Sequence, residues 1–337
     1  GTSDDPQVSY YFMGKDNIVF HAQIWPAELL GYNGEGAVGG TPGVFGKLNL
    51  PTEVVSSEFL TMEGKKFATS RGIVIYVRDM LERYQPDALR YFISAAGPET
   101  SDADFTWEEF LRRTNNELVA GWGNLVTRTA SMIHKRFGEI AEPAELQQID
   151  VALLVSLESG FVEVGTLIEG HHQKSAIAAV MRLVGEVNRY VTDTQPFKLK
   201  TEEELPRLRT VLWVLAQSVS DLNTMLAPFL PHSANAVDAV MGGAGRIAPM
   251  PRLVWVSEGG EDGLLAEAPG TPEDVAPDSN LEVAAGRYPV ITGDYAGYMT
   301  WGRHDVEVGT PIAKPTPVFT KLDPSIVEEE LERYASR

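Results

Sequence analysis

The sequence predicts an α/β segment over roughly its first hundred residues, an all-α bundle behind it and an irregular tail, on three observations. Close to the start, short aromatic or β-branched runs end at glycine, as strands do. From Thr106 the apolar period becomes helical, and beyond Gly242 glycine, proline and acid displace any period.

Val8 to Met13 reads as a buried strand bounded by Gly14, and Asp16 or Asn17 is placed to cap a helix over 18–30. Gly14-Lys15-Asp16-Asn17 is then a strand-to-helix turn, and in an open α/β sheet such turns line the ligand crevice. Glu53 to Ser56 and Phe59 to Met62 read as further strands, with a glycine-rich loop, 31–46, before them. Val77 to Tyr84 and Pro86 to Ala95 suggest two short helices. Four apolar stripes follow at helical spacing: Leu118, Trp122, Leu125, Thr129 and Met132; Leu154, Leu157, Phe161, Val164 and Ile168; Ile177, Val180, Met181, Val184, Val187 and Val191; and Leu208 to Leu226. Four amphipathic helices make a bundle. Ser233 to Met241 adds a short helix, 242–280 reads as a linker, Tyr288 to Ile291 and Val306 to Val308 are strand candidates, and an acidic helix starts near Pro324. The expected domains are 1–102, 103–241 and 242–337.

With 337 residues, 43% of them apolar, the chain can bury more than one core. No uncharged apolar run approaches the ~20 residues of a membrane span, and residues 1–6 have no signal-peptide character, so a cytoplasmic location is expected. The absence of cysteine excludes disulfides and thiolate metal sites in this sequence. A net charge of −19 argues against a protein that grips nucleic acid through general basicity, but the acid is concentrated in 258–282 and 328–330 while 112–136 is locally basic. A local RNA site is compatible with that distribution.

Lys65-Lys66-Phe67-Ala68-Thr69-Ser70-Arg71-Gly72 sets two lysines, an arginine and two hydroxyls in one loop. Such a loop suits a polyphosphate, because mobile cations can strengthen their contacts as charge builds on a reacting phosphate, although composition alone equally describes a solvated basic loop. The stretch from Phe59 to Gly72 resembles the Lys-Met-Ser-Lys-Ser signature of class I aminoacyl-tRNA synthetases, and Tyr11 to Pro26 is similar to the methionyl family in particular. The resemblance implies a partial Rossmann-like nucleotide-binding sheet followed by an anticodon-binding helix bundle. It implies ATP-dependent attachment of methionine to its tRNA through methionyl-adenylate, with ATP and Mg²⁺ as substrate and with tRNA and methionine as partners. No metal site and no membrane are expected of this chain.

By the same resemblance Lys66 and Ser70 are catalytic, Gly14, Asp16, Lys66 and Thr69 meet ATP, and His21 and Trp25 line the methionine pocket. Asn124 and Arg128 match the family's anticodon-reading pair, and Phe197 stands where the family commonly has a tryptophan that stacks on an anticodon base. Taken alone, His21 and Trp25 read as packing residues, Asn124 and Arg128 as a solvated helix face, and Phe197 as a plug of the bundle's end. Ala68 and Thr69 depart from the signature by a serine and a lysine, which leaves Lys65 or Arg71 to supply the missing charge. No His-x-Gly-His occurs, so the half of the nucleotide-binding fold that bears that signature is expected to be missing and the isolated chain catalytically silent. His171-His172 makes a poor joint metal ligand if helical, and Glu108-Glu109 and Glu202 to Glu204 suit helix starts. Two alternatives stay open: another class I synthetase, of the isoleucyl, valyl, leucyl or cysteinyl type, and a non-catalytic tRNA-binding module.

Overall fold

The computed structural model describes residues 8–34, 46–66, 75–257, 266–267, 287–292 and 300–335. Its first two strands, β1 (Tyr10–Gly14) and β2 (Glu53–Ser57), run parallel with Tyr10 opposite Glu53 and Gly14 opposite Ser57. A parallel pair requires a crossover, and here it is helical. The helical stretch begins at Lys15, loosens to a π-type turn at Phe20–Ile24 and ends as α1 (Trp25–Tyr32). The expected helix is therefore present, but its N-cap position is Gly14 and no side chain caps it. Asn33 closes the excursion, its amide bonding both the carbonyl and the N–H of Leu48 at 2.8 and 2.7 Å.

β3 (Leu60–Met62) does not join that pair. It opens a second sheet, with β4 (Lys65–Lys66) antiparallel on one side and β5 (Ala103–Phe105) parallel on the other. The single partial sheet expected from the sequence is thus two small ones among the described residues. Only Glu58 and Phe59 separate β2 from β3, too few for a parallel crossover. Both are drawn elsewhere: the Glu58 N–H donates to the Pro98 carbonyl at 2.8 Å and the Phe59 N–H to the Asp102 carboxylate at 3.0 Å. β1 departs from expectation too, since Tyr10 and Phe12 are exposed rather than buried. On that face the His171 ring packs edge-on against both, at 5.1 and 5.2 Å between centroids.

The bundle begins after α2 (Val77–Leu81), which stops three residues short of the expected Tyr84, and α3 (Pro86–Ala96), which forms as expected. α4 (Trp107–Arg113) is capped by Thr106, which accepts from the Glu109 N–H. It continues without a break through a π-wound segment, Thr114–Gly123, into α5 (Asn124–Arg136). α6 (Gln148–Glu169), α7 (Gln173–Thr194) and α8 (Leu205–Leu226) complete the four stripes, with Leu157, Val180, Val187, Val211 and Leu215 fully buried. Met132, Leu154, Ile168 and Met181 are only partly buried. By length and hydropathy alone α6 would suffice to cross a membrane. In the bundle its Asp150 is fully buried, held by Arg207 of α8 at 2.5 and 2.8 Å and by the Tyr190 hydroxyl of α7 at 2.6 Å.

His171 and His172 lie in the turn between α6 and α7, not on a helix, and face different carboxylates, Glu53 at 3.3 Å and Glu99 at 3.5 Å. After α9 (Pro231–Val240) the stretch read as linker holds a strand, β6 (Arg252–Ser257), antiparallel to β7 (Ala266–Glu267) and β8 (Arg287–Thr292). Its Leu253-Val254-Trp255-Val256 run was diluted by the surrounding glycine, proline and acid.

The strand expected at 306–308 does not form. The Val306 N–H goes instead to the Gln217 side chain of α8 at 2.9 Å. The tail from Thr300 wraps the bundle. Trp301 donates to the Phe161 carbonyl at 3.0 Å, Arg303 grips the buried Asp221 at 2.7 Å, and Ile312 and Phe319 are buried. The tail ends in α10 (Ile326–Ala335), whose Glu330 takes Arg83 at 2.7 Å and the Tyr84 hydroxyl at 2.8 Å.

Candidate functional site

Two groups of candidate residues take shape, one at the strand ends and one on the bundle. At the end of β1 the chain turns sharply, and the Asp16 carboxylate folds back over Gly14. A Cβ at Gly14 would stand 2.7 Å from Asp16 Oδ1, so a side chain there would push the exposed Asp16 carboxylate aside, while the φ of −74° makes no demand for glycine. Asp16 itself is exposed. Its neighbour Lys15 points away, into an ion pair with Glu58, a 3.1 Å contact with Asp102 and the face of Phe59 at 4.4 Å. The bond to Glu58 and then that to Asp102 hold the Lys15 ammonium above its ordinary range. The Phe59 N–H and Lys15 in turn keep Asp102 below the usual carboxylate range. That cation is thereby committed to bracing the turn, and sequence reasoning had given it no role.

One turn on, the π-type winding sets His21 edge-on to Trp25 at 6.4 Å, and Trp25 meets Tyr11 of β1 edge-on at 4.7 Å. His21 Nδ1 lies 3.0 Å from the Asn17 carbonyl, which in the neutral ring makes Nδ1 the N–H and leaves Nε2 as acceptor. Tyr11, Phe20, His21, Ile24, Trp25 and Glu28 line an open cleft of about 390 Å³. Aromatic walls with one polar contact are what an unbranched thioether side chain can use.

Lys66 leaves β4 opposite Thr61. The β3–β4 hairpin turns at Glu63 and Gly64, with φ of 47° and 72°, the doubly positive geometry of a tight two-residue loop. Asp104 braces it, taking the Gly64 N–H at 2.9 Å and the Thr61 hydroxyl at 2.6 Å, and Glu63 accepts the Trp107 N–H at 3.0 Å. The basic loop thus springs from a rigid base. Thr69 and Ser70, with Ala68 and Arg71, lie outside the described residues. Among the described residues no group of three His, Asp or Glu side chains is arranged to hold a metal.

On the bundle, Asn124 and Arg128 are both exposed, one turn apart on α5, and neither has a side-chain partner among the described residues. This is unlike Arg112, Arg113, Arg182, Arg207 and Arg303, all held in ion pairs. The helix that runs from α4 into α5 packs on α7 through its π-wound segment, where Asn188 donates to the Gly121 carbonyl at 3.3 Å, and Arg136 at the end of α5 donates to the Leu199 carbonyl, just past α7, at 3.0 Å. Those contacts bracket the stretch in which Asn124, Arg128 and Phe197 lie. Gln195 ends α7 in the left-handed region, φ 44°, and so turns Pro196 inward and Phe197 outward. The Phe197 ring is 52% exposed and does not plug the bundle.

The family tRNA synthetases class I (M) matches residues 2–130. A methionine–tRNA ligase from a Nocardioides species is 59% identical over 334 residues, 99% of this chain and 52% of that protein. One from Beutenbergia cavernae is 58% identical over 330 residues, 97% of this chain and 50% of that protein. The Mycobacterium tuberculosis methionyl-tRNA synthetase bound by methionyl-adenylate superposes with a TM-score of 0.66 at 24% identity, covering 93% of this chain and 50% of that one. At that identity the superposition speaks for the fold alone. Fold and sequence together define a class I tRNA synthetase chain. Within that class it belongs to the methionyl-tRNA synthetase family, and it spans about half the length of the curated relatives it matches.

Proposed function

We propose that this chain supplies part of the adenylation site and the anticodon-reading bundle of an enzyme that joins methionine to its tRNA. In the first half-reaction a methionine carboxylate oxygen attacks the α-phosphorus of ATP, pyrophosphate leaves with its electron pair, and methionyl-adenylate remains. In the second, a ribose hydroxyl at the 3′ end of the tRNA attacks the methionyl carbonyl and AMP departs. Methionine sits in the cleft of Tyr11, His21 and Trp25, and Asp16 holds the ribose hydroxyls over Gly14. Lys66, with Thr69 and Ser70, meets the phosphates, whose Mg²⁺ enters with the nucleotide. Because Thr69 carries no charge, Lys65 or Arg71 supplies part of what the departing pyrophosphate requires.

The observation that carries this reading is the aromatic cleft of Tyr11, His21 and Trp25, built by β1 and the helical stretch that follows the Gly14–Asp16 turn. A reader of unstacked bases on the bundle is supported by the exposure of Asn124, Arg128 and Phe197, an amide, a guanidinium and a ring in one bracketed stretch.

The test is the split between half-reactions in the full-length protein. Lys66→Ala is expected to lower methionine-dependent pyrophosphate exchange by about 10²-fold or more with tRNA binding intact. Arg128→Ala is expected to raise KM for tRNA at least about tenfold with exchange intact. Exchange that prefers another amino acid would replace methionine with a different class I substrate, and exchange unaltered in Lys66→Ala would leave only an RNA-binding module.

A further inference from the structure

The rod that carries Asn124 and Arg128 is not wound uniformly. Between α4 and α5 it is π-wound over Thr114–Gly123, and burial records the winding: Phe110, Thr114, Leu118, Trp122 and Val126 are all buried at an unbroken four-residue spacing. In an α-helix each such step overshoots by ~40°, so four would spread these side chains over ~160°. Under-winding keeps them on one side. The segment therefore indexes two faces of one rod, the buried docking face at Trp107 and Phe110 and the polar stripe of Asn124 and Arg128. Rewound as α-helix, it would carry that stripe around by on the order of a third to half a turn relative to Trp107.

π winding is rare and persists where its surroundings over-determine it. Here it is held from three sides. The Tyr91 hydroxyl of α3 donates to Glu117 at 2.6 Å, and Asn188 of α7 takes the Gly121 carbonyl. The tail supplies the third hold, twice over. Asn115 donates to the Leu322 carbonyl at 2.9 Å and accepts its N–H at 2.8 Å, and the buried Phe319 ring fills the place a Cβ on Gly123 would occupy, 2.9 Å away.

We propose that Asn115 and Phe319 are positioning residues: the tail strap locks the under-wound segment and thereby sets the direction in which Asn124 and Arg128 meet RNA. The inference rests on the RNA-reading face proposed above. Neither residue touches RNA in this scheme, and neither touches the adenylation site.

The test is a double-mutant cycle in the full-length protein, reading affinity for an RNA hairpin that bears the methionine anticodon. Phe319→Ala and Asn115→Ala are each expected to weaken binding by about tenfold while pyrophosphate exchange and helical circular dichroism persist. Phe319→Leu, which still fills the seat, is expected to bind within about twofold of the parent. In the background that carries both Asn124→Ala and Arg128→Ala neither alanine substitution should cost anything more. Losses that multiply instead, or binding unaltered by both alanine substitutions where Arg128→Ala does weaken it, would overturn the positioning role. Arg128→Ala binding as tightly as the parent would bring down the RNA-reading face itself. Should Phe319→Ala fail to fold, Asn115→Ala, at a half-buried site, carries the same prediction alone.

Discussion

The first seventeen described residues and the bundle are built on opposite terms. From Val8 to Ile24 the chain exposes Val8, Tyr10, Phe12, Ile18, Val19, Phe20 and Ile24, whereas in α8 nearly every side chain from Leu208 to Leu226 is buried. Exposed single apolar residues need no explanation, but a run of aromatic and β-branched ones on a two-stranded sheet does. The contrast separates two kinds of packing. The bundle is a close-packed frame that carries the polar stripe of Asn124 and Arg128, while the strand-end turn is lightly packed among the described residues.

That contrast can be broken by mutation. The largest loss is expected from Asp150→Asn, which leaves Arg207 without its buried partner and costs about 3–5 kcal/mol of unfolding free energy in urea titration. Leu157→Ala, at a fully buried site facing α7 and α8, should cost about 2–5 kcal/mol. Phe12→Ala should cost under about 1 kcal/mol, since its ring is already 59% exposed. Equal losses for Leu157→Ala and Phe12→Ala would erase the distinction.

A finer probe is pH. Burial pushes the Asp150 carboxyl up, but the bonds from Arg207, Tyr190 and the Gln147 N–H outweigh it and hold the group below its ordinary 3.8. Its stabilisation is therefore complete above that ordinary value and drains away as pH falls toward the lowered one, because the unfolded chain takes up the proton first. The acid limb of thermal stability should be steeper in the parent than in Asp150→Asn; parallel limbs would assign acid sensitivity elsewhere.

How much of this was legible in the sequence follows from the same division. The stripes of α6, α7 and α8 were readable because tertiary packing preserves the 3.6-residue period. The π segment was not, although Phe110, Thr114, Leu118 and Trp122 at four-residue steps signalled it, because a 4-residue step fits an α-helix equally well over two turns. The split into two sheets hinged on Pro98 and Asp102, which lie 40 and 43 residues along the chain from Glu58 and Phe59, the residues they hold. β5 was missed for a local reason, since three residues with aspartate in the middle carry no strand period. At the candidate site, Gly14, Asp16, His21 and Trp25 were singled out by resemblance; Gly14 and Asp16 lie at the strand-end turn and His21 and Trp25 on the helical stretch that follows it. Lys15 went unassigned because its restraint by Glu58 and Asp102 is visible only in three dimensions.

Three phenylalanines offer the most direct measurement. Phe12, Phe20 and Phe197 are 59%, 57% and 52% exposed, so hydroxyl radicals should oxidise them at similar rates in the free chain. With a saturating RNA hairpin bearing the methionine anticodon, oxidation of Phe197 is predicted to fall several-fold, ~1–3 kcal/mol of stacking being enough to keep its ring covered, while Phe12 and Phe20 react as before. Undiminished oxidation of Phe197, or protection at Phe12 and Phe20 in its place, would contradict the assignment of RNA reading to this face of the bundle.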